Sequence, residues 1–462
     1  MRVTTDAASP APTSTPTVAI IGGGASGTLT AVNLLRRGAS VRLFESRGEA
    51  GRGVAYSTTD ERHLLNVRAN NMSGFPDDRD DLLSWAAAAG IELGPTDFLP
   101  RRDYSRYLCD RLAAAAEAGA GTLETVGKTV VDVEPVGGGF TVVTGADGAD
   151  GAAGPEETYA ADAVVLAYGN PPPQPFADLP EAPWNLSDPW DVDRISALPA
   201  DATVLVVGSG LTAVDTTVTL LDEAPARSVV MVSRHGLLPN PHVDDQFTSW
   251  VTPVPDGPLT ADGVVELVRE QLEHAAEIGV DWRAVIDGLR GPTQSIWRRF
   301  PESERRRFRE VYAREWEVRR HRMAPRIAAL LAAYQAEGRL EILAGGVLGC
   351  RLDGVGQPVV TLADGEREVT AVINCTGPSP DITRTDNPLL LALQKRGLIV
   401  PDPLRLGIDV TEDGRVRGAD GRIVRNLVTV GPPCKGALYE ATAIPEIRVQ
   451  AAAVAALLTA AE

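Results

Sequence analysis

Apolar and polar positions follow one order from Thr17 to Glu45: the apolar run TVAII, a glycine-rich turn, a segment to about Arg37 with helically spaced apolar residues, then SVRLFE. This pattern predicts strand, turn, helix and strand. The order returns from Thr203, where TVLVVGSGLTAVDTTVTLL is followed by SVVMVSRHG. Each unit then continues in kind. After the first come TVVDVEP, GFTVVTG, a Gly/Ala/Asp-rich excursion from Gly145 to Gly154, and ADAVVLAYGNPPP; after the second come LGCRLDG, PVVTLADG and VTAVINCTGPSP. Two units of parallel-sheet plan predict an α/β fold with two Rossmann-like dinucleotide-binding domains.

The turns carry different chemistry. Gly22, Gly24 and Gly27 stand in a GxGxxG that follows a strand and opens a helix at Ala25 and Ser26. Such glycines permit a tight turn, close approach of a pyrophosphate, and close helix–strand packing, while the helix N-terminus favours the phosphate charge. Glu45 ends the next strand, 18 residues past Gly27, where a carboxylate accepts hydrogen bonds from ribose hydroxyls. In the second unit, Gly208, Ser209, Gly210, Leu211 and Thr212 form the turn, and the next strand ends in Ser233 and Arg234. A hydroxyl and a guanidinium there suit a 2′-phosphate, which an acid would repel. The contrast assigns FAD to the first unit and NADPH to the second.

The expected division follows. Residues 1–16, rich in Pro, Ser and Thr and lacking the apolar core of a secretion signal, form a disordered tail. Residues 17–172 and 377–462 make the FAD-binding domain, and residues 200–376 an inserted NAD(P)H-binding domain. The Pro-rich GNPPPQPFADLPEAPWNLSDPW links them as extended chain. A helical insertion occupies about 259–340, with the arginines of Arg298 to Arg322 on a solvated face. Pro445 suits the first turn of a terminal helix.

Composition narrows the partners. With 44% hydrophobic and 23% charged residues among 462, the chain reads as globular, and its formal charge of −18 argues against nucleic acid or an anionic membrane. No apolar run is long enough to cross a bilayer. Cys109, Cys350, Cys375 and Cys434 form no CxxC, so neither a disulfide framework, a zinc site nor a paired-thiol redox centre is expected. Cys375 reads as packing, no metal is expected, and a reduced cytoplasmic setting fits. The oligomeric state is not legible.

The run GRGVAYSTTDERHLLNVRANNMSGFPDD, with SRHGLLPNPH, INCTGPSPD, DPLRLGIDV and ATAIPEIRVQA, resembles a bacterial family of FAD/NAD(P)-binding proteins, from about Thr17 to Ala451. Some relatives are flavin-dependent N-monooxygenases of natural-product pathways. The resemblance implies that the loop from Gly51 to Met72 faces flavin, making Arg52, Val54, Asn66, Asn70 and Asn71 candidates for flavin or substrate. Arg68 stands where such proteins often read Pro, and its planar fork is a candidate for a substrate carboxylate. The segment TVGPPCKGALYEATAIPEI brings Gly431, Lys435 and the helix start at Ile444 towards the flavin; Gly431-Pro432 replaces the usual Gly-Asp. His235 and His242 are candidates for a nicotinamide site.

The leading expectation is an FAD-dependent, NADPH-consuming monooxygenase acting with O2 on a small molecule, by N-oxidation of an amino acid or amine. The alternative is an NAD(P)H:acceptor oxidoreductase without oxygen insertion. A third reading is a non-catalytic redox sensor. The sequence lacks FxGxxxHxxx(F/Y)P, the mark of Baeyer–Villiger and flavin-containing monooxygenases.

Overall fold

In the computed structural model, which describes residues 15–148, 156–176, 179–245 and 247–460, the first apolar run forms β1 (Thr17–Ile21), buried at all but its first residue. It leads through the glycine turn into α1 (Ala25–Arg36) and returns to β2 (Ser40–Phe44), which pairs with it in parallel, Val18 opposite Val41. Helices α2 (Asp81–Ala88) and α3 (Arg101–Glu117) precede β3 (Thr122–Val126). An antiparallel meander, β4 (Lys128–Val136), β5 (Gly139–Gly148) and β6 (Glu157–Ala161), leads to β7 (Ala163–Leu166), on the other side of β1. Most of the Gly/Ala/Asp-rich excursion, and the tail to residue 14, lie outside the described residues.

The second unit repeats this plan. The linker contributes a strand that its Pro-rich composition concealed, β8 (Asn185–Leu186), followed by α4 (Val192–Ser196). Then come β9 (Thr203–Val207), α5 (Leu211–Glu223) and β10 (Ser228–Ser233). One long and four short helices form the insertion: α6 (Ala261–Glu277), then α7 (Trp282–Gly288), α8 (Thr293–Arg299), α9 (Glu302–Arg307) and, after a π-helical turn at Phe308–Tyr312, α10 (Ala313–Arg320). Next stands α11 (Pro325–Ala336), then β11 (Leu340–Ala344), parallel to β10. The meander β12 (Gly349–Leu352), β13 (Pro358–Leu362), β14 (Gly365–Glu368) and the buried β15 (Ala371–Asn374) complete it.

One boundary is corrected. The expected insertion ran to about residue 340, but Ile327, Leu331 and Tyr334 of α11 are buried in one core with Val214, Val218 and Val229. This helix is the crossover that any parallel β10–β11 pair requires, so the inserted helices end at Arg320.

The chain then passes α12 (Pro388–Lys395), and β16 (Arg415–Arg417) and β17 (Ile423–Thr429) extend the first sheet to the order β16-β17-β7-β1-β2-β3. The second sheet runs β11-β10-β9-β15-β8. After the short α13 (Lys435–Leu438), α14 (Ile444–Thr459) packs along α1. Among the described residues, no helix is long and apolar enough to cross a membrane.

Candidate functional site

At the first turn, Gly22 has φ +105°, and a Cβ there would stand 2.4 Å from the Ala167 carbonyl oxygen. A Cβ on Gly27 would lie 1.8 Å from the Gly22 carbonyl oxygen, so helix and turn touch through glycine. Gly24 instead faces another glycine: its Cβ would meet only the Gly53 Cα, at 3.5 Å. The Gly51 N–H fixes that loop by donating to the Gly23 carbonyl at 2.7 Å. Glu45 is buried, and its carboxylate accepts from the Gly23 and Arg47 N–H groups, each at 2.9 Å. A glycine slot, the free N–H groups at the start of α1 and this carboxylate fit a dinucleotide with an unphosphorylated ribose.

The C-terminal segment returns to the same place. Gly431 has φ +85°, a Cβ on it would strike Ser26 Oγ at 2.3 Å, and its N–H donates to Gln450 of α14 at 2.9 Å. Ile444 is buried in the first core, so its side chain packs and only its main chain can face a ligand. Arg52 is half exposed in an ion pair with Glu49, and the Val54 carbonyl accepts from Ser57. Lys435 stands over the Tyr439 ring at 5.7 Å.

The second turn reproduces the first. Gly208 has φ +121°, and its Cβ would approach the Cys375 carbonyl oxygen to 2.1 Å, matching Gly22 against Ala167. Nothing lies within 4 Å of a Cβ on Gly210. Leu211 and Thr212 open α5, half buried. Ser209 Oγ donates to the Leu237 carbonyl at 2.7 Å and lies 2.7 Å from Ser233 Oγ. Arg234 and His235 are exposed beside it. A further neighbour, not expected from the sequence, is Arg314, which donates to Ser209 Oγ at 3.0 Å. It comes from α10, remote in the chain, with no local motif to mark it.

Between the turns, loop 66–73 meets the second unit. His242 Nε2 donates to the Asn66 carbonyl at 3.1 Å, and its ring packs on Phe98 at 5.0 Å between centroids. Burial, aided by Arg322, pushes the imidazole down to about 3, so it stays neutral. Asn70 accepts from the Asn71 amide at 3.1 Å. Arg68 departs from expectation: its guanidinium donates to three consecutive carbonyls, those of Val243, Asp244 and Asp245. Through these carbonyls Arg68, the candidate for a substrate carboxylate, ties the two units together.

The arginine-rich stretch also departs from a uniformly solvated face. Arg298, Arg306, Arg307 and Arg319 are exposed, but Arg320 and Arg322 are buried. Arg320 faces Glu440 and Glu446 at 4.0 and 3.9 Å, and Arg322 pairs with Asp287. The Arg320 contacts belong to a seam where the insertion closes on the C-terminal segment. Arg290 holds Glu446 through two bonds of 2.8 and 3.0 Å, Gln294 donates to the Glu440 carbonyl, and Trp297 donates to the Gly436 carbonyl. Tyr439, at φ +62° a strained position for a bulky residue, stacks on Trp297 at 4.6 Å. A cavity of about 230 Å³ adjoins it, lined by Val268, Leu272, Ile296, Phe308 and Trp316 among others. Burial pushes the Cys375 and Cys434 thiols up to about 12, which fits packing, not thiolate chemistry.

Residues 19–171 match the model of a family described as FAD-NAD(P)-binding. No curated protein matches the chain. Among solved structures, the reduced ornithine hydroxylase of Pseudomonas aeruginosa is 17% identical, with 96% of this chain and 99% of that one covered and a TM-score of 0.59. The ornithine N-hydroxylase of Kutzneria sp. 744, with reduced FAD, NADP+ and L-ornithine, is 16% identical over 96% and 99%, at 0.60. The bacillithiol disulfide reductase of Bacillus cereus is 16% identical over the same shares, at 0.54. At such identities the likeness is one of fold.

Proposed function

From the premise that residues 19–171 are an FAD-NAD(P)-binding domain, we propose that the chain is an FAD-dependent, NADPH-consuming monooxygenase that uses O2 to oxidise a nitrogen of a small amine or amino acid. The observation that carries this reading over a simple reductase is the seam. Arg290, α8 and α10 are held by buried and part-buried polar contacts over the segment 436–446, which runs into the start of α14. Such a cover would keep water from a flavin held beside Gly431, a need of oxygen transfer more than of hydride delivery to an open acceptor.

Each role falls to residues of this chain. Gly22, Gly24, Gly27 and the start of α1 would cradle the FAD pyrophosphate, and Glu45 would take its ribose. Gly208, Gly210, Ser233 and Arg234 would hold NADPH. Asn66 and Asn70, on the loop between the units, would orient substrate. Bound FAD would supply the electron transfer and oxygen activation, so no side-chain nucleophile is required. The ornithine hydroxylases of like fold support nitrogen as the atom oxidised. The disulfide reductases of like fold leave a second reading, but a thiol relay would need a paired, low-pKa cysteine, and the buried Cys375 and Cys434 are unsuited to it.

Turnover of an amine panel under ¹⁸O2 tests the proposal. Labelled oxygen in a hydroxylated product, formed in step with NADPH consumption, is expected. NADPH consumption that tracks an added acceptor, with no label in any product, would replace the proposal with the reductase reading.

A further inference from the structure

The insertion delivers to the second glycine turn a second cation, beside the Arg234 of the Rossmann unit itself. Arg314, in the first turn of α10, donates through Nη2 to Ser209 Oγ at 3.0 Å and to the Leu237 carbonyl. Ser209 Oγ is 2.7 Å from Ser233 Oγ, and Arg234 follows directly in the chain. Burial, with Arg234 nearby, holds the Arg314 guanidinium below its usual range, and the acid acting on it is Glu317 of its own helix. Through the two hydroxyls Arg314 is thus linked to the strand end that carries the exposed Arg234, an arrangement that an anion completes.

Two further features point the same way. The π-helical turn at Phe308–Tyr312 immediately precedes α10, and such turns recur at functional sites. Beside the cluster, the space over Gly210 is open, giving a phosphorylated ligand access.

We propose that Arg314 is a specificity-determining residue which, with Ser209, Ser233 and Arg234, clamps a ribose 2′-phosphate, so that the helical insertion shares in choosing the phosphorylated nicotinamide cofactor. The inference rests on the NADPH reading above. Guanidinium suits the task because its fork matches two phosphate oxygens, which an ammonium cannot do.

Calorimetric titration of the FAD-loaded full chain with 2′,5′-ADP and with 5′-AMP separates the two ideas without turnover. The wild type is expected to bind 2′,5′-ADP roughly 10- to 100-fold more tightly, the scale of charge-assisted hydrogen bonds. Arg314→Gln should cut that preference by roughly tenfold, with 5′-AMP affinity and FAD content unchanged. Equal binding of the two probes by the wild type would overturn the NADPH reading and this inference with it. A wild-type preference that survives intact in Arg314→Gln would overturn the Arg314 role alone. Should that variant not fold, Arg314→Lys decides: a reduced preference supports the clamp, and an undiminished one refutes it.

Discussion

Gly27, the third glycine of the first turn, and Gly210, the second glycine of the second, stand in surroundings that demand different things of them. A methyl group on Gly27 would fall 1.8 Å from a backbone oxygen that has no room to retreat, whereas one on Gly210 would meet open space. Gly27→Ala is therefore expected to yield protein that loses FAD and unfolds several degrees earlier, since overpacking of this kind costs about 1–3 kcal/mol or more. Gly210→Ala should keep FAD and thermal midpoint while raising the KM for NADPH, because the methyl stands where the pyrophosphate approaches. Equal midpoints for both variants would contradict this difference. His242 offers a pH test. Its folded pKa of about 3 lies below the usual 6.5, so below pH 6.5 the unfolded chain takes up a proton that the folded chain refuses. Stability is thus full above pH 6.5 and falls as pH drops towards 3, by at most about 1.4 kcal/mol per pH unit. His242→Gln should flatten the fall in midpoint between pH 6.5 and 5, and parallel curves for variant and wild type would refute it.

At the scale of elements, the repeated strand–turn–helix units were legible because each is local: an apolar run, glycines at fixed offsets, and a helix of period 3.6. The acid at Glu45 and the cation at Arg234 were legible for the same reason. What escaped depends on distant partners. Asn185–Leu186 is a strand only because β15 offers it an edge, and α11 belongs to the second core because β10 and β11 pair in parallel across the insertion. Arg320 and Arg322 look like solvent-facing residues until Glu440, Glu446 and Asp287 are brought to them. Arg314 joins Ser209 by the same long-range folding. The insertion's hold on the C-terminal segment centres on Trp297, buried against Tyr439, Phe300 and Phe308. Trp297→Ala is expected to cost about 3–5 kcal/mol and to expose residues 261–320 to limited proteolysis. An unchanged midpoint and digestion pattern would count against the seam as a stabilising contact.

Over the whole molecule, two units of one plan are joined through polar contacts between loops and helices. Arg62 pairs with Asp60 in its own loop and with Asp222 and Glu223 of the second unit, at 2.6 to 3.3 Å, while Arg101 meets Asp215 at 3.2 Å and Arg68 clasps the 243–245 turn. This joint lies between a turn whose strand neighbour ends in a carboxylate and a turn whose strand neighbour ends in a guanidinium. Which nucleotide each half accepts is therefore the decisive question. Its most direct test is the anaerobic reduction of the purified yellow protein by NADPH and by NADH, followed at the visible flavin band. Efficient bleaching by NADPH at concentrations where NADH is ineffective is the expected result. A protein that takes up no FAD, or one reduced equally well by both nucleotides, would contradict the account.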